Sequence, residues 1–237
     1  MKNLVIDIGN TFAKIALFEE GKMLQKKRLA HEEIAKEISS SVFERMIVSD
    51  VSKETARKLK STGFGFLEMS NELIFPFSIA YETPKTLGTD RLAAVAGACF
   101  LFPQRAFLCI DAGTCITYDF LDSSGVYQGG AISPGLQMRL KALNHFTGRL
   151  PLVNFEGEKP ELIGKSTQKS ILSGAVNGFL AEIRATVQDY QEQFGKDLLI
   201  VVTGGDAEFI CKSAGEFFYE PDLLLIGLDN ICNLNTV

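Results

Sequence analysis

The sequence predicts two related α/β domains, each a mixed sheet covered by helices, facing one another across a cleft. Three observations carry this. The first third reads strand, strand, strand, helix, strand, helix, strand, the order of a mixed sheet with helices packed on it. The segment "LCIDAGTCITYDFL", residues 108–121, then repeats the layout of "LVIDIGNTFAKIAL", residues 4–17. Leu4 aligns with Leu108, Ile6 with Ile110, Asp7 with Asp111, Gly9 with Gly113 and Leu17 with Leu121, and polar Asn10 matches polar Thr114. A third strand and a helix follow the second copy as they follow the first, so the chain reads as an internal duplication. The predicted domains are 1–104 and 105–237, with the boundary near residues 103–106.

Residues 2–8 and 13–18 form the opening hairpin around Gly9-Asn10-Thr11, and residues 22–30 add a third strand after Gly21. "HEEIAKEISS" has helical spacing, "RMIVSDV" is a short buried strand, and "SKETARKLKS" is an amphipathic helix with Ser52 as its cap. "FGFLEM" is a further strand, and residues 71–88 are irregular. "TDRLAAVAGACFLF" is a helix capped by Thr89 and stopped by Pro103, and its many small residues call for a close neighbour. In the second half, "GVYQGGAIS" is a strand and "PGLQMRLKALNHF" a helix opened by Pro134. Residues 167–194 make a long helix with Gly174 and Gly178 turned to a close neighbour, "LLIVVTGGDAEFICK" is strand, Gly-Gly turn and helix, and residues 222–235 are a last helix.

Composition narrows the function. The net charge of −5 and a single compact basic cluster at Lys26, Lys27 and Arg28 argue against a nucleic-acid partner. Five cysteines without a CxxC pair, and only two histidines, argue against a Cys/His metal site. Free thiols fit a reducing compartment. No apolar run reaches the length of a membrane span, and the N-terminus runs straight into a strand pattern. A soluble, cytoplasmic protein without a membrane partner is expected.

Two Asp-x-Gly turns at matching positions point to a polyphosphate. Small turn residues let backbone N–H groups approach an anion, with Asn10 and Thr11 adding hydrogen bonds. A carboxylate beside phosphates makes sense when a cation lies between them, so Asp7 and Asp111 are candidate cation holders; the alternative is that each bonds its own loop. "VVTGGD", with Thr203, Gly204 and Gly205, fits a nucleotide against backbone. The P-loop-like "GEKPELIGKS" fails because six residues separate Gly157 and Gly164, and Lys165 and Ser166 read as the start of a helix. "YETPKTLGTDRLAA" places Gly88, Thr89, Asp90 and Arg91 at a helix start. That is either a cap with a surface ion pair, or a substrate clamp with Asp90 accepting a hydroxyl proton. Neither His31 nor His145 has a catalytic context, so a carboxylate is the candidate base.

Together "DIGNT", "Y…GTDR", "DAGT", "GGAISPGL", "GKSTQKSILSG" and "TGG", in this order, resemble the type III pantothenate kinases, of the acetate and sugar kinase, Hsp70 and actin superfamily. The resemblance implies two duplicated ribonuclease H-like, actin-like ATPase domains with an interdomain nucleotide cleft. It implies ATP-dependent phosphorylation of pantothenate to 4′-phosphopantothenate, with Asp90 as general base. ATP would contact Asp7, Ile8, Gly9, Asn10, Thr11, Phe12, Ala13 and Lys14, then Thr114, and Thr203, Gly204 and Gly205. Pantothenate would contact Tyr81, Gly88, Thr89, Asp90, Arg91 and Thr167. Asp111 would hold a monovalent cation, potassium or ammonium, beside the Mg²⁺ that accompanies ATP, and the chain would form a homodimer. Cys115 stands where the family more often has alanine, with no change in chemistry expected. The alternatives are a catalytically inactive regulatory relative and a kinase acting on another small acceptor.

Overall fold

The computed structural model describes residues 1–9, 11–50, 54–61 and 63–235; Asn10 and the predicted cap Ser52 lie outside the described residues. The chain divides into two compact units, Met1–Gln104 with Asp222–Val237, and Arg105–Pro221.

The first unit begins with β1 (Lys2–Ile8), β2 (Ala13–Glu19) and β3 (Lys22–Leu29). A 3₁₀ turn at His31–Glu33 leads into α1 (Ile34–Ser40), then β4 (Arg45–Asp50), α2 (Glu54–Ser61) and β5 (Leu67–Glu68). The sheet order is β3-β2-β1-β4-β5, with β1 antiparallel to β2 and parallel to β4. Leu4, Val5 and Ile6 are all buried, as a strand covered on both faces requires. Ile34 and Ile38 of α1 and Ala56 and Leu59 of α2 join one core with Leu4, Ile6, Ile8 and Ile15. After β5 the chain runs through a short strand, β6 (Ser78–Ile79), and a 3₁₀ turn at Pro84–Thr86 into α3 (Thr89–Leu101).

The second unit holds β7 (Phe107–Ala112), β8 (Cys115–Leu121) and β9 (Val126–Pro134), then α4 (Leu136–His145). A continuous helical run follows, α5 (Thr167–Leu172), a π-helical turn at Ser173–Asn177, and α6 (Gly178–Phe194). β10 (Leu199–Thr203), α7 (Ala207–Ser213) and β11 (Phe218–Tyr219) complete it. Its strands run β9-β8-β7-β10-β11, the same third, second, first, fourth, fifth order as in the first unit. The core gathers Leu108, Ile110 and Val202 of the sheet with Phe179, Leu180 and Ile183 of α6.

The duplication is visible in the register, with one correction. In the first hairpin Ile8 faces Ala13 across residues 9–12, and in the second Ala112 faces Ile116 across residues 113–115, a turn one residue shorter. The correspondence Leu4/Leu108, Asp7/Asp111, Gly9/Gly113 therefore stops at the turn. Leu4 pairs with Leu17, but Leu108 pairs with Phe120, so Leu17 matches Phe120 and not Leu121. A one-residue slip exchanges the faces of a strand, and the core settles which alignment holds. With that alignment, the irregularities at Leu17/Phe18 and Phe120/Leu121 fall at the same place in both sheets.

The last helix, α8 (Leu223–Leu234), belongs with the first unit, although the sequence places residues 222–237 in the second domain. The cause is its contact with α3, the close neighbour that the small residues of α3 call for. A Cβ on Gly227 would lie 1.8 Å from the Ala93 carbonyl oxygen, and one on Gly97 would lie 2.1 Å from that of Leu223. Only backbone-to-backbone helix packing allows this. Asn3 of β1 adds a buried hydrogen bond to Asp229 of α8.

Three smaller expectations change. Gly88, not Thr89, is the N-cap residue of α3. Pro134 ends β9, and Gly135 precedes α4, because its backbone N–H donates to the Thr114 carbonyl and a Cβ there would lie 2.4 Å from the Gly113 oxygen. A Cβ on Gly174 or Gly178 would meet nothing within 4 Å in this chain.

Candidate active site

In the first unit β1 delivers Asp7 to the tip of the hairpin, directly across from Lys14. Burial pushes the Asp7 carboxyl up, Lys14 pulls it down, and the negative charge of Asp90 pushes it up again, leaving it above the ordinary aspartate value. Two predicted site carboxylates of this unit are thus near enough to feel each other. The turn closes through Gly9 N–H donating to the Phe12 carbonyl at 3.1 Å. The Arg28 guanidinium lies over the Phe12 ring, 4.1 Å from its centroid. His31, given no role from the sequence, has Nε2 3.0 Å from the Gly9 carbonyl oxygen. Ile8 and Ala13 are buried under the turn, while Thr11, Phe12 and Lys14 are exposed.

The Gly88–Arg91 segment begins α3. Asp90 Oδ1 accepts from the Arg91 backbone N–H at 2.8 Å. A Cβ on Gly88 would sit 2.5 Å from that oxygen, so the glycine leaves the space into which the carboxylate folds. Asp90 is exposed, whereas Arg91 is only 6% exposed. Asn71, which no motif marks, donates to the carbonyls of Pro84 at 2.6 Å and Leu87 at 2.8 Å and so fixes the turn ahead of Gly88. Asn235, the C-cap residue of α8, anchors the same irregular stretch by bonding both the N–H and the carbonyl of Ile74. Tyr81 is half-buried within it.

In the second unit Asp111 is the penultimate residue of β7, next to Thr203, its parallel neighbour on β10. Gly204, with φ of +95°, carries no side chain where a Cβ would lie 2.5 Å from Asp111 Oδ1. The Gly113-Thr114 turn and the Gly204-Gly205 turn are bound together, because Asp206 N–H donates to the Ala112 carbonyl at 3.0 Å. These turns and the exposed face of α4, Gln137, Met138 and Lys141, enclose a cavity of about 420 Å³. Thr114, Gly205 and Ala112 at the end of β7 line this one cavity. Thr167 does not join them. It opens α5 behind Ser166, whose side chain accepts from Lys169 N–H at 3.3 Å and caps the helix, and it lines a separate apolar groove of about 1130 Å³ with Leu143, Phe146 and Ile171.

The chemistry of these groups is that of anion and cation handling. Backbone-rich turns suit phosphates, and carboxylate oxygens suit hard cations. Among the described residues no three His, Cys, Asp or Glu side chains converge as a metal cage. Among the same residues no helix is long and apolar enough to cross a membrane.

Comparison with known proteins agrees with the motifs. A family model described as type III pantothenate kinase matches residues 3–189. A type III pantothenate kinase of Christiangramia forsetii is 40% identical over 98% of each chain. One of Phocaeicola vulgatus is also 40% identical over 98% of each. Among solved structures, a conserved Baf family protein from Campylobacter jejuni superposes with a TM-score of 0.67 at 22% identity, over 97% of each chain. A glucokinase from an Antarctic psychrotroph does so with a TM-score of 0.52 at 11% identity, over 98% of each. At these identities the structural likeness shows the fold alone, two ribonuclease H-like domains of the actin-like ATPase class.

Proposed function

The chain belongs to the type III pantothenate kinase family, and we propose that it phosphorylates pantothenate from ATP with Asp90 as the general base. The reaction gives 4′-phosphopantothenate and ADP, the first step of coenzyme A biosynthesis. The observation that carries this reading is the family match over residues 3–189 of a chain whose two Asp-x-Gly turns sit at equivalent ends of two equivalent sheets.

Residues 7–14 and Thr114 take the phosphates of ATP, and Thr203, Gly204 and Gly205 lie along its adenosine. The residues present fit the cations the family uses. Mg²⁺ keeps phosphate and water oxygens as ligands and needs few carboxylates, and Asp7 and Asp111 are the candidates, Asp111 for a potassium-like ion. When bound, these cations offset the charge that phosphates and carboxylates would otherwise share. Pantothenate is held by Tyr81, Gly88–Arg91 and Thr167. With Asp90 Oδ1 engaged by Arg91 N–H, Oδ2 accepts the proton of the pantothenate hydroxyl as the phosphoryl group arrives. The transition state of phosphoryl transfer is loose, so this base serves mainly to orient the nucleophile.

A homodimer is supported by the second unit's surface. Phe146, Leu162 and Ile163 are 81%, 82% and 72% exposed, Phe146 lines the apolar groove beside Thr167, and Gly174 and Gly178 leave open space on the helical run. A second copy seated there would cover this face. The expected location is the cytoplasm.

The test is ADP release from Mg-ATP with and without pantothenate, in potassium and in sodium buffer. Release that needs both pantothenate and potassium is the expected result. No release in either buffer, with ATP still bound, would leave a nucleotide-binding protein without this activity.

A further inference from the structure

Asp206 follows the Gly204-Gly205 turn and holds the N-cap position of α7, a place where aspartate normally accepts an N–H of the first helical turn. Here its side chain makes no such bond. Its backbone N–H is fixed to the Ala112 carbonyl, and the residue lines the cavity of about 420 Å³ together with Thr114 and the α4 residues Gln137, Met138 and Lys141. The wall opposite is firm. Arg139, between Met138 and Lys141, donates Nε to the Pro134 carbonyl at 2.8 Å and pairs with Glu182 of α6.

A carboxylate in such a place needs hydrogen-bond donors. Burial alone pushes the Asp206 carboxyl up, and no cation counters it, Lys141 on the same cavity included. A phosphate has no proton to offer at neutral pH and would repel it. The part of a nucleotide that carries donors is the nucleoside, through its ribose hydroxyls and the amino group of its base.

We propose that Asp206 is a specificity-determining residue that accepts a hydrogen bond from the nucleoside half of the phosphoryl donor, a ribose hydroxyl or the adenine amino group. This rests on the kinase reading of the site, which puts the phosphates at the Gly113-Thr114 turn. It adds a selective contact to a cavity otherwise made of backbone and one face of α4, and it makes Asp206 the residue that separates ATP from analogues lacking one donor.

The experiment compares ATP, 2′-deoxy-ATP, 3′-deoxy-ATP and ITP in the wild type, Asp206→Ala and Asp206→Asn. A hydrogen bond to a charged acceptor predicts a KM roughly ten- to a hundredfold higher for the one analogue missing the contacted donor. Asp206→Ala is expected to raise KM for ATP to that of the analogue and to leave the analogue's KM unchanged, with Asp206→Asn between. Which analogue loses identifies the donor. Equal KM values for all four nucleotides in the wild type, or a parallel shift for all four in Asp206→Ala, overturns the proposal. Binding of ADP, 2′-deoxy-ADP, 3′-deoxy-ADP and IDP by calorimetry gives the same comparison without turnover. A wild type that fails to phosphorylate pantothenate but still discriminates among these diphosphates would sink the kinase reading and keep the Asp206 contact.

Discussion

His31 Nε2 lies 3.0 Å from the carbonyl oxygen of Gly9. A carbonyl only accepts, so Nε2 carries the proton and donates. The bond ties the start of the α1 segment to the turn that Gly9 and Phe12 close, which Arg28 grips from its other end through Phe12.

Removing that donor should loosen the turn without touching the chemistry. His31→Leu is expected to raise KM for ATP roughly two- to tenfold, the value of one neutral hydrogen bond, with kcat nearly unchanged. His31→Gln, which can still donate, should recover part of the loss. A fall in kcat with KM intact would show that His31 acts elsewhere.

Asp90→Asn makes the opposite split. Its Oδ1 can still accept from Arg91 N–H, so the start of α3 keeps its shape. On the proposed reaction the variant lacks the carboxylate that takes the hydroxyl proton, and kcat should fall by ~100- to 10,000-fold, the usual worth of a positioned base. KM for ATP should stay close to the wild type. Wild-type turnover in this variant would remove Asp90 as the base.

Asp111 and Gly204 form a coupled pair. Asp111→Ala should abolish the stimulation of turnover by potassium over sodium. Gly204→Ala should weaken the same response, because its Cβ would lie 2.5 Å from Asp111 Oδ1 at a φ of +95° that a side chain rarely adopts. A potassium response that survives both changes would put the cation site on other residues.

What the sequence shows and hides follows from the range of the forces involved. The strand alternation, the Asp-x-Gly turns and the small residues of α3 are local requirements of backbone and packing, and they can be read in a few residues. The shorter second turn is not local. Leu121 aligns with Leu17 by spacing, and only the core face of β8 shows that Phe120 is its true counterpart. The membership of α8 depends on Gly227 meeting Ala93, far apart in the chain, which no periodicity reports. His31, Asn71 and Asp206 escaped for the same reason: each gains its place from a partner or a cavity brought near by the fold. The strand, Gly-Gly turn and helix from Leu199 to Ser213 were legible because a glycine pair after a buried strand carries its geometry with it.

The α3–α8 contact should be intolerant of a single methyl group. Gly227→Ala gains about 1 kcal/mol of helix propensity. Against this, its Cβ would lie 1.8 Å from the Ala93 backbone oxygen, so two helices must separate. Overpacking of a firm site costs about 1–3 kcal/mol and sometimes more, so a net loss is expected. Urea unfolding should show a lower midpoint with a similar slope. An unchanged or raised midpoint would mean that α8 moves off α3 without cost.

Asp229 sets the sign of a pH effect on stability. It is buried, accepts from Asn3 Nδ2 at 2.7 Å and from Asn233 Nδ2 at 3.4 Å. Burial pushes its carboxyl up, the two amides pull it partly back, and the net shift is upward from the ordinary 3.8. The folded chain therefore holds this proton at pH values where the unfolded chain has lost it. The contribution to stability is full below the unfolded value, and it falls as pH rises through the folded value. Asp229→Asn removes the linkage, so the wild-type stability minus that of the variant, each measured by urea unfolding at the same pH, should decline as pH rises from below 3.8 and then level off. A difference that grew with pH instead would mean that the ionised carboxylate is the form the fold prefers, and that the two asparagine amides outweigh its burial.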